Sequence, residues 1–132
     1  MIRAVLDTNV FISSLFWRGV PYQIVQKGLG GSFLIVTSLE ILEEIGETLR
    51  RKFRFPAEDT RAFLGIITVN SHLAEPQDKV EVVRADPPDN KIIECAVAGR
   101  AHFIVSGDRH LLDLRKHGGA KIVTAREFLS FL

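Results

Sequence analysis

Three aspartates stand where apolar segments end or where a helix begins. Asp7 follows the apolar run at residues 2–6, Asp108 follows the apolar segment at residues 103–105, and Asp89 opens a helical pattern. Because the carboxyl ends of strands border the ligand crevice of an open α/β sheet, these acids are expected to gather. Gathered carboxylates repel one another and raise each other's pKa unless a cation lies among them. Oxygen ligands without a Cys or His cluster suit a hard divalent ion, Mg²⁺ or Mn²⁺.

Helix capping is the alternative role for each of these aspartates. An Asp side chain is a preferred N-cap because it accepts hydrogen bonds from the first turn of a helix. Neighbouring hydroxyl and amide groups favour a polar site for the set: Thr8 and Asn9 follow Asp7, and Ser106 precedes Asp108. Capping and metal binding do not exclude each other at different positions, so both interpretations stand.

A fourth carboxylate is expected from the helix after the second strand, which offers four glutamates. At about 100° per residue, one apolar stripe of that helix consists of Ile41, Leu42, Ile45 and Leu49. Glu44 lies closest to the margin of the stripe and Glu47 lies opposite it. Glu44 is therefore the predicted fourth acid, with Glu40 and Glu43 as alternatives.

These acids, in this order, resemble the motifs of PIN domains. The resemblance rests on residues 6–9, the helix of Glu44, the pair Asp89 and Asn90, and residues 104–108, and it covers essentially the whole chain. The chain is most similar to small stand-alone prokaryotic PIN proteins of the VapC toxin type. The resemblance implies a three-layer α/β/α sandwich around a mainly parallel sheet. It also implies a metal-dependent ribonuclease and a small antitoxin partner.

The resemblance also assigns roles to residues. The implied catalytic and metal-binding acids, for Mg²⁺ or Mn²⁺, are Asp7, Glu44, Asp89 and Asp108. The implied supporting polar groups are Thr8, Asn9, Asn90 and Ser106. Asp86 and Asp113 are further acids whose roles the resemblance does not assign.

The elements that must position these residues follow from length and hydrophobic periodicity. A chain of 132 residues predicts a single domain over residues 1–132. Apolar strands alternating with helices predict an α/β fold whose mainly parallel sheet is covered on both faces. Strands are expected at residues 2–6, 33–36, 103–105 and 121–124, with at most one more in residues 71–84. Helices are expected at residues 10–16, 21–27, 39–52, 57–70, 91–98, 109–114 and 125–132.

The charge balance bears on the substrate. Seventeen Lys and Arg against sixteen Asp and Glu exclude a broadly basic nucleic-acid coat. If four acids form one site, seventeen basic residues face twelve acids elsewhere, a net charge of +5.

A basic tract with interleaved Phe53 and Phe55 is a candidate RNA contact and consists of Arg50, Arg51, Lys52 and Arg54. Its alternative role is a solvated helix end whose cations favour the helix dipole. Arg18, Lys91 and Arg109 are further candidate phosphate contacts.

Other classes of function fit less well. The four histidines lack paired ligand spacing, which argues against a zinc site. A receiver-like domain needs an Asp after a middle strand, where Ser38 stands, and a Lys after a late one, where Asp108 stands. A phosphatase with Asp7 as nucleophile needs a second Asp where Asn9 stands. A PIN-fold protein that binds RNA or a partner without cutting remains the main alternative.

The remaining expectations concern location and contacts. The single Cys95 lies on a buried-type helix face and fits a reducing cytosol. No apolar stretch approaches the roughly 20 residues that span a bilayer, and Asp7 interrupts any signal-peptide core, so a cytoplasmic location without membrane contact is expected. Phe16 and Trp17 are expected in the core or an interface. The apolar C-terminus is expected to dock on the sheet or to join a homodimer contact.

Overall fold

The computed structural model describes residues 1–77 and 89–132, and these form a six-stranded sheet with helices on both faces. The strands are β1 (Arg3–Leu6), β2 (Leu34–Thr37), β3 (Ser71–Leu73), β4 (Phe103–Val105), β5 (Lys116–His117) and β6 (Ala120–Val123). Their order is β3-β2-β1-β4-β6-β5, and every pair is parallel except β5 with β6. The inner strands consist of apolar residues because both faces of the sheet are covered.

The helices lie between the strands in the chain and connect them in the way that parallel pairing requires. They are α1 (Thr8–Phe16), α2 (Val20–Leu29), α3 (Leu39–Phe53), α4 (Ala57–Val69), α5 (Asn90–Ala98), α6 (Arg109–Leu112) and α7 (Ala125–Leu129). None of the helices in the described ranges has the length and apolar character needed to cross a membrane.

Two neighbouring residues of β2 show that the sheet is the middle of three layers. Ile35 faces α2, where a Cβ added to Gly28 would lie 2.6 Å from it. Val36 faces the end of α5, where a Cβ on Gly99 would lie 2.4 Å from it. Because successive side chains of a strand point to opposite faces, α2 and α5 cover opposite sides. The expected α/β/α sandwich with a mainly parallel sheet is confirmed.

Register places the ends of three central strands side by side. Leu6 of β1 lies opposite Val105 of β4, and Val5 of β1 lies opposite Val36 of β2. Residues that directly follow β1, β2 and β4 therefore emerge along one edge of the sheet. Asp7, Ser38 and Ser106 are these residues, and all three are buried.

The structure differs from the expected elements at several ends. The antiparallel strand β5 was not expected, and it reaches β6 through a turn in which Gly118 has a φ of +58°. Helix α1 starts at Thr8, two residues earlier than expected. Helices α6 and α7 stop at Leu112 and Leu129, short of the expected ends at residues 114 and 132. The weakly patterned segment holds the short strand β3, and its part beyond residue 77 lies outside the described residues.

The aromatic residues at the C-terminus and at the end of α1 differ in how far they are buried. Phe128 is fully buried and packs edge-on against Phe33 and Phe103, so docking on the sheet is confirmed for this residue. Phe131 and Leu132, at the end of the chain, remain 47% and 37% exposed. Phe16 and Trp17 are 37% and 61% exposed, so the expectation of a core position was wrong and the interface interpretation remains a prediction.

The single cysteine lies inside the fold. Cys95 is fully buried, as expected for a packed thiol. Burial raises the pKa of its thiol to about 12, and a hydrogen bond from Ser38 opposes the shift. The neutral thiol packs as a small apolar group between α5 and the start of α3.

Candidate active site

Asp7 lies between the ends of β1 and β4. Its backbone N–H donates to the carbonyl of Val105 at 2.9 Å, which continues the β1–β4 ladder beyond the strands. Its Oδ2 accepts a hydrogen bond from Ser106 Oγ at 2.7 Å. Although Asp7 stands at the N-cap position of α1, its side chain makes no capping hydrogen bond. The capping role is therefore wrong for Asp7, whose carboxylate belongs to the sheet edge.

The pKa of Asp7 is raised from its ordinary value of 3.8. Burial is the main cause, since the residue is 6% exposed. The negative charges of Glu44 and Asp108 raise this pKa further, while hydrogen bonds from Ser106 and the Thr8 amide lower it. Three predicted acids thus share one electrostatic environment.

Glu44 comes from α3, which starts directly after β2. Ser38 caps that helix by accepting a hydrogen bond from the Ile41 amide at 3.3 Å. Glu44 stands in the second turn of α3. Its Oε1 accepts a hydrogen bond from Thr8 Oγ1, and its Oε2 pairs with Lys91 Nζ at 2.8 Å. Glu40 and Glu43, the alternatives, are exposed. Glu44 therefore links α3 to both α1 and α5.

Asp108 has a structural role as well as an electrostatic one. Its Oδ1 accepts hydrogen bonds from the amides of His110 at 2.7 Å and Leu111 at 3.4 Å, so it caps α6. Its own amide donates to Ser106 Oγ at 2.9 Å. Ser106 therefore links Asp7 and Asp108 through one hydroxyl. The capping interpretation is confirmed for Asp108, and its negative charge still acts on Asp7.

Asp89 directly precedes α5 and is partly buried. It occupies the N-cap position without a capping hydrogen bond to that helix. Since Lys91 in the first turn of α5 reaches Glu44, the start of α5 lies against the same site. Of the unassigned acids, Asp86 lies outside the described residues, and Asp113 is exposed after α6.

The other predicted polar groups differ in position. Thr8 and Ser106 are buried and contact the acids, Asn90 is partly buried at the start of α5, and Asn9 is exposed.

Sequence reasoning treated Lys91 as a phosphate contact and missed its ion pair with Glu44. It also passed over Glu94, which is 5% exposed on α5. A lone acid inside the apolar segment at residues 92–97 was the available signal.

Metal ions would find suitable donor atoms here. Carboxylate and hydroxyl oxygens, without sulfur ligands, are what a hard divalent cation prefers. Burial raises the pKa of Asp7, and the nearby charges of Glu44 and Asp108 raise it further, so a bound cation would favour the ionised carboxylate. In the conformation described, no three acid, His or Cys side chains among residues 1–77 and 89–132 are arranged to hold a metal ion. The donor chemistry fits, and Lys91 supplies the positive charge at Glu44.

The basic tract follows Glu44 along α3 and lies at the C-terminal end of that helix. Its four cations, Arg50, Arg51, Lys52 and Arg54, are exposed at the end of α3. At 1.5 Å rise per residue, Arg54 lies about 15 Å along the axis from Glu44. Glu47 pairs with Arg50 at 2.8 Å and with Arg51 at 3.6 Å. Phe53 stacks on Phe16 with ring centroids 4.7 Å apart.

An apolar groove adjoins that end of the molecule. It has a volume of about 270 Å³ and is lined by residues of α1, α2 and α4 and of the α1–α2 connection, including Phe16, Trp17, Tyr22, Phe63 and Ile66. Trp17 and Ile66 are 61% and 51% exposed. Arg18 at its rim donates to Tyr22 Oη at 2.8 Å and lies over the Tyr22 ring. Large apolar side chains grouped on a surface in this way mark an interaction site.

Comparison with known proteins gives consistent results. The PIN domain family model matches residues 3–110. The chain is 33% identical over 141 aligned positions to the uncharacterised protein MJ1680 of Methanocaldococcus jannaschii, with 97% of this chain and 90% of the relative covered.

Two solved structures share the fold. VapBC2 from Rickettsia felis, bound to a DNA fragment from its promoter, has a TM-score of 0.66 at 13% identity, covering 93% of this chain and 98% of that one. PAE2754 from Pyrobaculum aerophilum has a TM-score of 0.61 at 18% identity, covering 98% and 96%. At these identities the structural likeness shows the fold alone.

Proposed function

The chain belongs to the PIN domain family, and we propose that it is a metal-dependent ribonuclease, the toxin of a toxin–antitoxin pair. The family is generally one of nucleases, and divalent metal ions are typical of it. The observation that carries the proposal is the buried Asp7 carboxylate, which Ser106 holds beside Asp108. Burial is the main cause of the raised pKa of Asp7, and the charges of Glu44 and Asp108 add to it. Like charges crowded at a strand edge destabilise the fold, so their presence favours a cation-binding role.

The proposed metal ligands are Asp7, Glu44, Asp89 and Asp108. A bound Mg²⁺ or Mn²⁺ supplies activation of water and neutralisation of phosphate charge. Ser106 holds the Asp7 carboxylate and the Asp108 backbone in fixed positions. Thr8 orients Glu44 from the first turn of α1. Asn9 and Asn90 are proposed as supporting groups that flank the same acids.

RNA binding is proposed to extend from the acids toward the end of α3. Acidic side chains repel phosphates, so affinity must come from cations away from the ligands. Four such cations lie about 9 to 15 Å along the helix from Glu44, and they are Arg50, Arg51, Lys52 and Arg54. An RNA of several nucleotides spans that distance, so the backbone contact and the cleavage site are proposed to lie on different segments of one strand.

Cleavage of RNA tests the proposal directly. The purified protein is incubated with an RNA pool and either Mn²⁺, Mg²⁺ or EDTA. We expect products only with the metals. Because the attacking group is water and not the 2′-hydroxyl, no 2′,3′-cyclic phosphate ends are expected. Cyclic ends, or equal cleavage in EDTA, would contradict the proposal.

A matched pair of variants on α3 tests the site. Glu44→Gln removes the charge that faces Thr8 and Lys91, and Glu43→Gln makes the same change at an exposed neighbour. We expect Glu44→Gln to lose about 100-fold or more in cleavage rate and Glu43→Gln to stay within about twofold. Equal effects of the two changes would remove Glu44 from the site.

The second candidate is a PIN-fold protein that binds RNA or a partner without cutting. The ion pair of Lys91 with Glu44 favours this alternative, because the lysine already neutralises the Glu44 carboxylate without a metal ion. RNA binding without cleavage in any divalent metal would select this alternative.

The proposed partners are a small antitoxin and a second copy of this chain. The similar Rickettsia structure is a VapBC2 assembly. We propose that an apolar segment of the antitoxin occupies the groove lined by Phe16, Trp17 and Ile66. The homodimer is proposed independently of the groove, and its mass in solution tests it.

A further inference from the structure

Lys91 is more buried than a residue that only contacts the phosphates of a substrate needs to be. Its ammonium lies 2.8 Å from Glu44 Oε2, and its side chain is only 13% exposed. Lysines are seldom buried to this degree unless an acid compensates their charge. The residue stands in the first turn of α5, directly after the proposed ligand Asp89. The cation is therefore built into the acidic site.

Both oxygens of Glu44 are engaged in this arrangement. Thr8 donates to Oε1 and Lys91 to Oε2. If the ion pair persisted, a divalent ion bound to Glu44 Oε2 at the usual Mg–O distance would lie less than about 5 Å from Lys91 Nζ, and an ion bound to Oε1 would lie within about 7 Å. Two positive charges so close in a partly buried site repel strongly. Metal binding to Glu44 and the ion pair are thus mutually unfavourable.

We infer that Lys91 is the resident counter-cation of the acidic site, which a divalent metal must displace from Glu44. The inference rests on the proposed metal site. Lys91 neutralises Glu44 in the metal-free protein and thereby weakens the apparent affinity for the metal. It is a positioning residue, because it acts through the Glu44 carboxylate.

The test is Mn²⁺ affinity, measured by calorimetry with MnCl₂ and the full chain without RNA. Lys91→Met removes the ammonium and keeps most of the apolar stem. We expect it to bind Mn²⁺ about three- to tenfold more tightly than the natural chain. Lys91→Arg keeps a cation near Glu44, so its affinity should stay close to that of the natural chain. Lys27→Met removes one exposed charge on α2 and controls for net charge.

Several outcomes would overturn the inference. Unchanged or weaker Mn²⁺ binding by Lys91→Met would show that the ion pair is only a structural tie between α3 and α5. Equal tightening in Lys91→Arg or in Lys27→Met would assign the effect to side-chain shape or to net charge. Absence of Mn²⁺ binding in both the natural chain and Lys91→Met would also contradict it. If Lys91→Met does not show a cooperative thermal transition, Lys91→Gln carries the same expectation.

The inference and the proposed function can fail separately. Tighter Mn²⁺ binding by Lys91→Met supports the inference even if no variant cleaves RNA. If the chain does cleave, the Mn²⁺ concentration at half-maximal rate should fall in Lys91→Met and stay unchanged in Lys27→Met. Metal-dependent cleavage with no such shift would leave the nuclease proposal standing and overturn the role of Lys91.

Discussion

The charge of Asp7 lowers the stability of the folded protein, while its carboxylate is a proposed metal ligand. Its carboxylate is buried, and Glu44 and Asp108 add negative charge nearby, so its pKa is raised. The native state therefore holds its proton more tightly than the unfolded chain. As pH rises from 3.8 through the raised pKa, the folded protein loses stability relative to the unfolded chain. The Ser106 hydrogen bond offsets part of this cost.

Asp7→Asn should therefore stabilise the metal-free protein at pH 7. The amide oxygen can still accept the Ser106 hydroxyl, while the buried charge is gone. We expect the Tm in EDTA to rise by a few degrees, since 1 kcal/mol moves the Tm of such a domain by about 4 °C. The difference should shrink as the pH is lowered toward 3.8.

The control for this prediction is Asp59→Asn. Asp59 is exposed in the first turn of α4, where its charge is favourable with the helix dipole. Its removal should leave the Tm unchanged or lower it slightly. A Tm of Asp7→Asn equal to or below that of the natural chain at pH 7 would mean that Asp7 carries no electrostatic cost.

At the scale of elements, the sequence predicts those helices and strands whose own residues show a hydrophobic pattern. The segment at residues 103–105 was placed correctly because a continuous apolar run is typical of a buried strand. The amphipathic α3 was placed correctly because its apolar residues recur with a clear helical period. Strand β5 has only two residues, Lys116 and His117, without apolar periodicity. It exists because the turn at Gly118 brings it against β6, which is tertiary context that propensity does not contain.

The candidate site shows the same division. The position of Glu44 at the margin of the apolar stripe followed from its angle on α3, and the placement of Asp7 followed from its position after β1. The ion pair of Lys91 joins two helices far apart in the chain, so no local pattern encodes it. The choice between capping and site roles also needed coordinates, because Asp7 and Asp108 stand at equivalent positions and only Asp108 caps.

Close packing of α2 on β2 gives a prediction at this scale. A Cβ on Gly28 would lie 2.6 Å and 2.7 Å from two carbons of Ile35 and 2.9 Å from the Phe33 ring. Gly28→Ala should therefore lower the free energy of unfolding by about 1–3 kcal/mol, measured by urea denaturation.

Gly65→Ala is the matched control in another helix. No atom lies within 4 Å of a Cβ at Gly65, which is an exposed position inside α4. Ala is the better helix former, so this variant should gain about 0.5–1 kcal/mol. Equal losses in both variants would show that α2 is not held by its contact with Ile35.

At the scale of the whole molecule, the acids at the sheet edge are separated from the apolar groove. Asp7 and Asp108 lie where β1 and β4 end, while the basic tract and the apolar groove lie toward the far ends of α3 and α1. A partner can therefore occupy the groove without touching the acids directly. Inhibition by an antitoxin segment in the groove would then require a further part of that partner to reach the site.

Trp17 reports on this surface because it is the chain's single tryptophan and is 61% exposed. Titration with the proposed small antitoxin should shift the fluorescence emission of Trp17 to shorter wavelength as the groove is covered. Trp17→Ala should weaken binding by about tenfold or more, as expected for an exposed aromatic anchor. Tight binding measured by calorimetry with unchanged emission would place the partner elsewhere.

The central claim is that the crowded acids bind a metal and hydrolyse RNA. The most direct measurement is the rate of RNA cleavage by Asp7→Asn at saturating Mn²⁺, beside the natural chain. Because this variant is expected to be more stable, lost activity cannot come from unfolding. The account predicts a loss of about 100-fold or more in cleavage rate, together with a raised Tm in EDTA. A cleavage rate within about threefold of that of the natural chain would contradict it.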